Sequence, residues 1–154
     1  GDFTIPSPGC KLKTTISPQG GTITIKGDPD ASPFHELAAP DKKSHIRTSS
    51  FETEVVVHLS FLRLTGGIAA NTDSGGSIYI YNSKNAGSIW HITSCVFEGC
   101  KATEPYCAQF NGGKGLSNEG QKAAIAGGIA GAKHVQTFIT ASSTPGAACL
   151  RAFS

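Results

Sequence analysis

The sequence carries little charge and no long apolar run. Asp, Glu, Lys and Arg make up 16% of the 154 residues, below the quarter usual in globular proteins. The formal net charge is only +2, which gives no argument for nucleic acid or an anionic membrane as a partner. No apolar run approaches the roughly 18 residues of a membrane-spanning helix. We therefore expect no membrane span and no nucleic-acid partner.

Several short motifs are also absent. The sequence has no Met, and the start Gly1–Ile5 lacks the basic and apolar regions of a signal peptide. We expect that the chain begins after processing or is a piece of something longer. The sequence contains no Cys-x-x-Cys pair and no Asn-x-Ser/Thr sequon, so neither a zinc site nor N-glycosylation is indicated. We expect no metal and no cofactor.

The cysteines are odd in number, five in all. Cys100 and Cys107 are close enough in sequence to close a small ring, and Cys10 and Cys149 could tie the two ends together. Pairing cannot be deduced from a sequence, so both disulfides stay hypotheses. Disulfides persist in oxidising compartments, and the cysteines therefore favour a secreted or cell-surface, extracytoplasmic setting.

What the sequence does contain is a repeat. His58 falls on His91 and Leu64 on Phe97 at one offset, since 91 − 58 = 33 and 97 − 64 = 33. The apolar residues of the two copies are Val57, Leu59, Leu62 and Leu64, and Trp90, Ile92, Cys95 and Phe97. A straight strand has a side-chain period of two, but both copies slip by one place in the middle. The slip predicts a corner between two short strands, as in a solenoid of stacked repeats.

Three segments carry a resemblance to a known family: Leu59–Gly67, Gly75–Ile80 and Ile92–Ala102. They resemble right-handed parallel β-helix (pectin-lyase-like) proteins, and most closely the repeat of polymorphic outer-membrane proteins. Ser77 stands where that repeat has Ala in Gly-Gly-Ala-Ile, and Cys100 stands where Phe-x-x-Asn has Asn. The resemblance implies an all-β, right-handed parallel β-helix of about three to five coils. It implies no catalytic residues, because such motifs encode stacking.

The chain divides into three parts on this interpretation. Residues 1–21 form an irregular lead-in, residues 22–102 the β-helix coils, and residues 103–154 a degenerate coil or a loop-rich segment. Within the coils, residues 28–44 hold several acidic residues and prolines at irregular spacing. This composition predicts a solvated loop there.

The outer faces of the predicted coils offer two candidate surfaces. His58 and His91 should lie one coil apart, near the ~4.8 Å spacing of neighbouring strands. Such a pair could bind a metal or titrate as a unit, or consist of two outward polar residues, which we favour. Phe61, Tyr79 and Tyr81 are predicted to face outward, where they could stack on sugar rings or pack under a loop or a partner.

The sequence gives no constellation of catalytic residues. Polysaccharide lyases and glycosidases need clustered carboxylates, and the acidic residues of 45–102 are scattered: Glu52, Glu54, Asp73 and Glu98. We therefore predict a non-enzymatic structural or interaction module of a secreted or cell-surface assembly. Its partners would be other protein subunits or further coils of a larger chain. The alternative is a carbohydrate-binding or lyase-like β-helix protein, for which glycans would be the ligands.

Overall fold

The computed structural model describes residues 1–48, 53–68, 76–80, 88–100, 129–131, 135–140 and 151–152. The strands within these ranges are β1 (Asp2–Thr4), β2 (Gly9–Lys11), β3 (Gly21–Lys26), β4 (His35–Ala38), β5 (Ile46–Thr48), β6 (Val55–Ser60), β7 (Leu62–Thr65), β8 (Ile78–Ile80), β9 (Ser88–Thr93), β10 (Val96–Glu98), β11 (Ile129–Gly131), β12 (Val135–Thr140) and β13 (Arg151–Ala152). None of the described residues is helical, so no helix among them could cross a membrane.

The strands pair side by side into three parallel sheets in this part of the chain. Sheet I has the order β1-β3-β6-β9-β12, sheet II the order β10-β7-β4-β2, and sheet III the order β13-β11-β8-β5. From β3 to β12 the chain enters sheets I, II and III in the same repeating order. A parallel neighbour normally requires a long crossover, and here each crossover runs through the other two sheets. Within the described residues, the all-β, parallel character predicted from the sequence is confirmed.

The register of the strands matches the repeat in the sequence. His58 of β6 lies opposite His91 of β9, and Leu64 of β7 lies opposite Phe97 of β10. Between β6 and β7 the chain passes from sheet I to sheet II through Phe61, whose φ is 56°, and the equivalent Ser94 has φ 50°. One left-handed residue at the same place in both copies is what shifts the side-chain phase. The predicted corners are thus confirmed.

Alternate residues of each strand point inward, and their side chains form the core. One row of side chains in sheet I runs through Ile25, Leu59 and Ile92, and each is at most 2% exposed. Trp90, the single tryptophan of the sequence, is fully buried one position along β9 from His91. Leu62 and Cys95, the residues flanking the two corners, are likewise fully buried.

The prediction of a solvated loop over residues 28–44 is wrong for part of that range. Residues 35–38 form β4, which pairs with both β2 and β7, and Leu37 is only 1% exposed. A strand of four residues with one buried apolar side chain has too little periodicity to be read from sequence. Two further strands, β1 and β2, lie within residues 1–21.

Candidate functional site

A row of charged side chains crosses the outer face of sheet II. Glu36 of β4 pairs in register with Arg63 of β7, and Arg63 pairs with Val96 of β10, two residues before Glu98. Because every second residue of a strand faces the same way, Glu36, Arg63 and Glu98 all lie on the outer side. Nη1 of Arg63 donates to Oε2 of Glu98 over 3.0 Å, and Nη2 lies 3.6 Å from Oε2 of Glu36.

Other contacts fix this charged row. The hydroxyl of Thr65 donates to Oε1 of Glu36 over 2.5 Å. Nε of Arg63 is buried and has no hydrogen-bond partner in the described part of the chain, so its Nη atoms alone hold it to the carboxylates there. The side chains are 27% exposed for Arg63, 40% for Glu36 and 41% for Glu98. All three side chains therefore remain in contact with solvent, and the register of the strands fixes their relative positions.

A cleft of about 260 Å³ lies beside this row. One wall is the segment 31–34, which connects β3 to β4, and the floor consists of Arg63, Val96 and Glu98. The ring of Phe34 packs edge-on against that of Phe61, with the ring centroids 6.0 Å apart. Phe61 is thus half-buried at its corner and braces Phe34. The cleft combines an apolar wall with a guanidinium donor and a carboxylate acceptor.

The two predicted histidines come together on the outer face of sheet I. The rings of His58 and His91 are stacked, with centroids 4.6 Å apart and planes 4° from parallel. Partial burial and the charge of His58 lower the pKa of His91 below its ordinary value. The described residues contain no group of three or more His, Cys, Asp or Glu side chains that could hold a metal ion. A metal at this pair would therefore have two protein ligands from that part of the chain.

The aromatic surface predicted from the sequence divides among different parts of the fold. Phe61 lies at the corner before sheet II, whereas Tyr79 belongs to β8 in sheet III. Its side chain, like the whole of Tyr81, lies outside the described residues. The structure thus brings the histidines together, and it does not bring Phe61 to the face that carries them.

The cysteines are only partly described. Cys10 and Cys100 are thiols, and the partners predicted for them, Cys107 and Cys149, lie outside the described residues. Burial raises the pKa of the Cys95 thiol to about 12, and burial also raises the pKa of Cys100. Both thiols stay protonated near neutral pH, so neither is an activated nucleophile.

The first strands leave an apolar end face on the fold. A cavity of about 350 Å³ opens there, lined by side chains that include Phe3, Ile5, Cys10, Leu12, Ile16 and Ile23. Phe3 pairs in register with Ile25 and so continues the inner row of sheet I, yet it is 54% exposed. The core of the fold is therefore open at this end.

Sequence reasoning missed most of the cleft. Phe34 and Glu36 lie in the range predicted to be a solvated loop. Arg63 is the polar member of Leu-Arg-Leu, a pattern that indicates a strand and no binding site. Paired residues of β4 and β7 are 27 positions apart, since 63 − 36 = 27, whereas those of β7 and β10 are 33 apart, since 96 − 63 = 33. No single period links the three strands. The alternation in Leu62–Thr65 was the one signal that placed Arg63 outward.

Comparison of the chain with protein-family models, with curated proteins and with solved structures finds no match. Function is therefore inferred from the geometry of the cleft, the histidine pair and the apolar end face.

Proposed function

We propose that this chain is a non-enzymatic structural or interaction module that presents a right-handed parallel β-helix to partner subunits of a secreted or cell-surface assembly. Support for the β-helix comes from the three parallel sheets and from the order in which the chain enters them. Parallel crossovers are right-handed in about 98% of cases, which supports that hand. The five cysteines support an oxidising, extracytoplasmic location.

The observation that carries the proposal is the apolar end face. Its cavity of about 350 Å³ and the 54% exposure of Phe3 leave an apolar cross-section in water. β1 is the terminal strand of sheet I at this end, and β2 is the terminal strand of sheet II. Terminal strands offer backbone groups for pairing with another strand. A protein partner that adds strands to these sheets would satisfy both the backbone and the apolar surface.

The association of the purified chain with itself tests this role, because a bare end face without its partner should pair with another copy. We expect sedimentation velocity to show concentration-dependent association. Phe3→Asp places a charge on the end face and should shift the equilibrium towards monomer. Val56→Asp, on the outer face of sheet I, is the control and should leave association unchanged.

A strictly monomeric chain in which the β1 amides that point away from β3 are protected from hydrogen exchange would contradict the proposal, since its end face would then be covered by the chain's own residues. The predicted disulfides have a separate test. The intact mass of the alkylated protein, with and without prior reduction, tests whether Cys100–Cys107 and Cys10–Cys149 pair or whether Cys10 and Cys100 remain the free thiols of the structure.

Carbohydrate binding is the second candidate function, and the cleft beside Arg63 favours it. The lyase-like form of this alternative has less support, because Glu36 and Glu98 share one guanidinium instead of facing a base. We expect no cleavage of uronate polymers in a lyase assay.

A further inference from the structure

We propose that the cleft between the segment 31–34 and strands β7 and β10 binds one neutral sugar ring. This inference goes beyond the partner-binding role of the end face, and it rests on the second candidate function for its class of ligand. The cleft and the end face share no lining residue. Each can therefore fail a test without the other.

The size and walls of the cleft suit a single ring. Pockets for drug-sized molecules measure roughly 300–1,000 Å³, and this cleft, at about 260 Å³, is smaller. Pro33, Phe34 and Val96 supply the apolar part of its lining. The C–H face of a pyranose is apolar and packs well against such side chains. The contact with Phe61 holds Phe34 in place before any ligand arrives, which lowers the entropic cost of binding.

The polar groups of the cleft match hydroxyls. A hydroxyl can both donate and accept a hydrogen bond, whereas a guanidinium only donates and a carboxylate only accepts. Arg63 and Glu98 offer one of each at the floor, joined by their 3.0 Å contact. Two neighbouring hydroxyls of a sugar ring could accept from Arg63 and donate to Glu98. The ion pair fixes these two groups relative to one another, as a preorganised site requires.

The charge of the row selects against acidic sugars. Arg63 contributes +1, and Glu36 and Glu98 contribute −2 together, so the formal charge of the row is −1. A uronate carboxylate would meet this net negative charge, and Glu98 would oppose it directly at the floor. A neutral ring avoids this repulsion.

NMR on the full chain, observed on the ligand and on the protein, tests the proposal with methyl glycosides of neutral hexoses and with methyl galacturonate. We expect at least one neutral glycoside to bind with a dissociation constant in the millimolar range, and the galacturonate to bind at least tenfold more weakly. Chemical shifts of the Val96 methyls and the Phe34 ring should move on titration. Binding of no neutral glycoside, equal binding of the uronate, or shifts that map elsewhere would overturn the proposal.

Three variants sharpen the test. Val96→Phe fills the cleft and should abolish binding, whereas the matched Val56→Phe on sheet I should leave it unchanged. Glu98→Gln brings the formal charge of the row to zero and should narrow the preference for neutral over uronate ligands. Binding by Val96→Phe as strong as by the unmodified chain would contradict the assigned site. Should Val96→Phe not fold, the chemical-shift map of the unmodified chain decides instead.

Phe3→Asp separates the two functions. It should weaken self-association and leave sugar binding intact, so loss of one property does not count against the other.

Discussion

His45 shows how a single polar residue can be part of the core. It is fully buried; its Nε2 lies 2.8 Å from the Leu37 carbonyl, and its Nδ1 lies 3.0 Å from the Ser77 hydroxyl. A carbonyl only accepts, so Nε2 carries the proton, and the Ser77 hydroxyl donates to Nδ1. The neutral ring thus joins β4 to the residues that precede β5 and β8, and neither ring nitrogen is left unsatisfied. Burial lowers its pKa from 6.5 to about 4.

This lowered pKa makes the free energy of unfolding depend on pH. The unfolded chain binds a proton near pH 6.5 and the folded chain only near pH 4, so the stabilisation is complete above pH 6.5 and is lost as the pH falls towards 4. We expect His45 to account for a loss of about 3 kcal/mol between pH 7 and pH 4. Urea unfolding at both pH values measures it.

His45→Gln should be less stable at pH 7 but should show a smaller loss of stability on acidification. His91 has a lowered pKa as well and adds to the loss in the same direction, so His91→Gln is needed to separate the two contributions. An unchanged pH dependence in His45→Gln would contradict the assignment.

Ser94 carries backbone strain at the corner between β9 and β10. Its φ of 50° lies in the left-handed region, which Asn tolerates well and β-branched residues poorly. We expect Ser94→Asn to raise the free energy of unfolding by about 0.5 kcal/mol and Ser94→Val to lower it by about 1–2 kcal/mol. Chemical denaturation gives both values. Equal stability of the two variants would show that the corner does not depend on this residue.

At the scale of the elements, the pairing of β6 with β9 brings two imidazole rings into contact. Neither strand alone contains a histidine pair; the parallel register creates it. The pKa of His91 is lowered first by desolvation and second by the charge of His58. The electrostatic coupling of the two histidine rings therefore depends on the pairing of β6 with β9, and it disappears if the register shifts by one residue.

NMR titration of the ring protons can measure this coupling. We expect His58→Gln to raise the pKa of His91 towards its ordinary value without restoring it fully, because burial, the larger cause, remains. His35→Gln is the control, since His35 bonds to the Ile5 carbonyl and takes no part in the stack. A pKa of His91 that does not move in His58→Gln would contradict the stacked arrangement.

The elements also show why some strands could be predicted and others not. The sequence predicted four strands, β6, β7, β9 and β10, because Val57–Leu64 and Trp90–Phe97 have equal length and the same apolar pattern. The sequence did not predict β4, because the connections between β4 and its paired strands β2 and β7 differ in length from the connection between β7 and β10. The charged row depends on β4, so Glu36 could not be placed beside Arg63 before the pairing was known.

At the scale of the whole molecule, every paired strand is distant in sequence from its partner. Among the described strands, the nearest paired positions are 21 residues apart, since 151 − 130 = 21 for Arg151 and Ala130. Folding therefore has to close long loops before any strand pair contributes stability. This topology predicts slow folding for a chain of this length.

Trp90 offers a direct measurement of that rate. It is the only tryptophan in the sequence and is fully buried, so its emission should shift to longer wavelength on unfolding. We expect stopped-flow refolding to recover the native emission over milliseconds to seconds, as in other folds dominated by non-local contacts. Recovery within microseconds would contradict this topology.

The sequence alone determined the inward and outward side of β6, β7, β9 and β10, a corner between Leu59 and Leu62 and another between Ile92 and Cys95, and the offset that joins His58 to His91. These features depend on the local alternation of apolar and polar residues and on one repeated period. Both can be recognised from the sequence without knowledge of the fold. The tertiary structure alone decided that Glu36, Arg63 and Glu98 meet, that Phe34 lines a cleft with Arg63 and Glu98, and that His45 is buried. Those contacts join strands separated by connections of unequal length, and only the pairing of the folded backbone fixes which residues become neighbours.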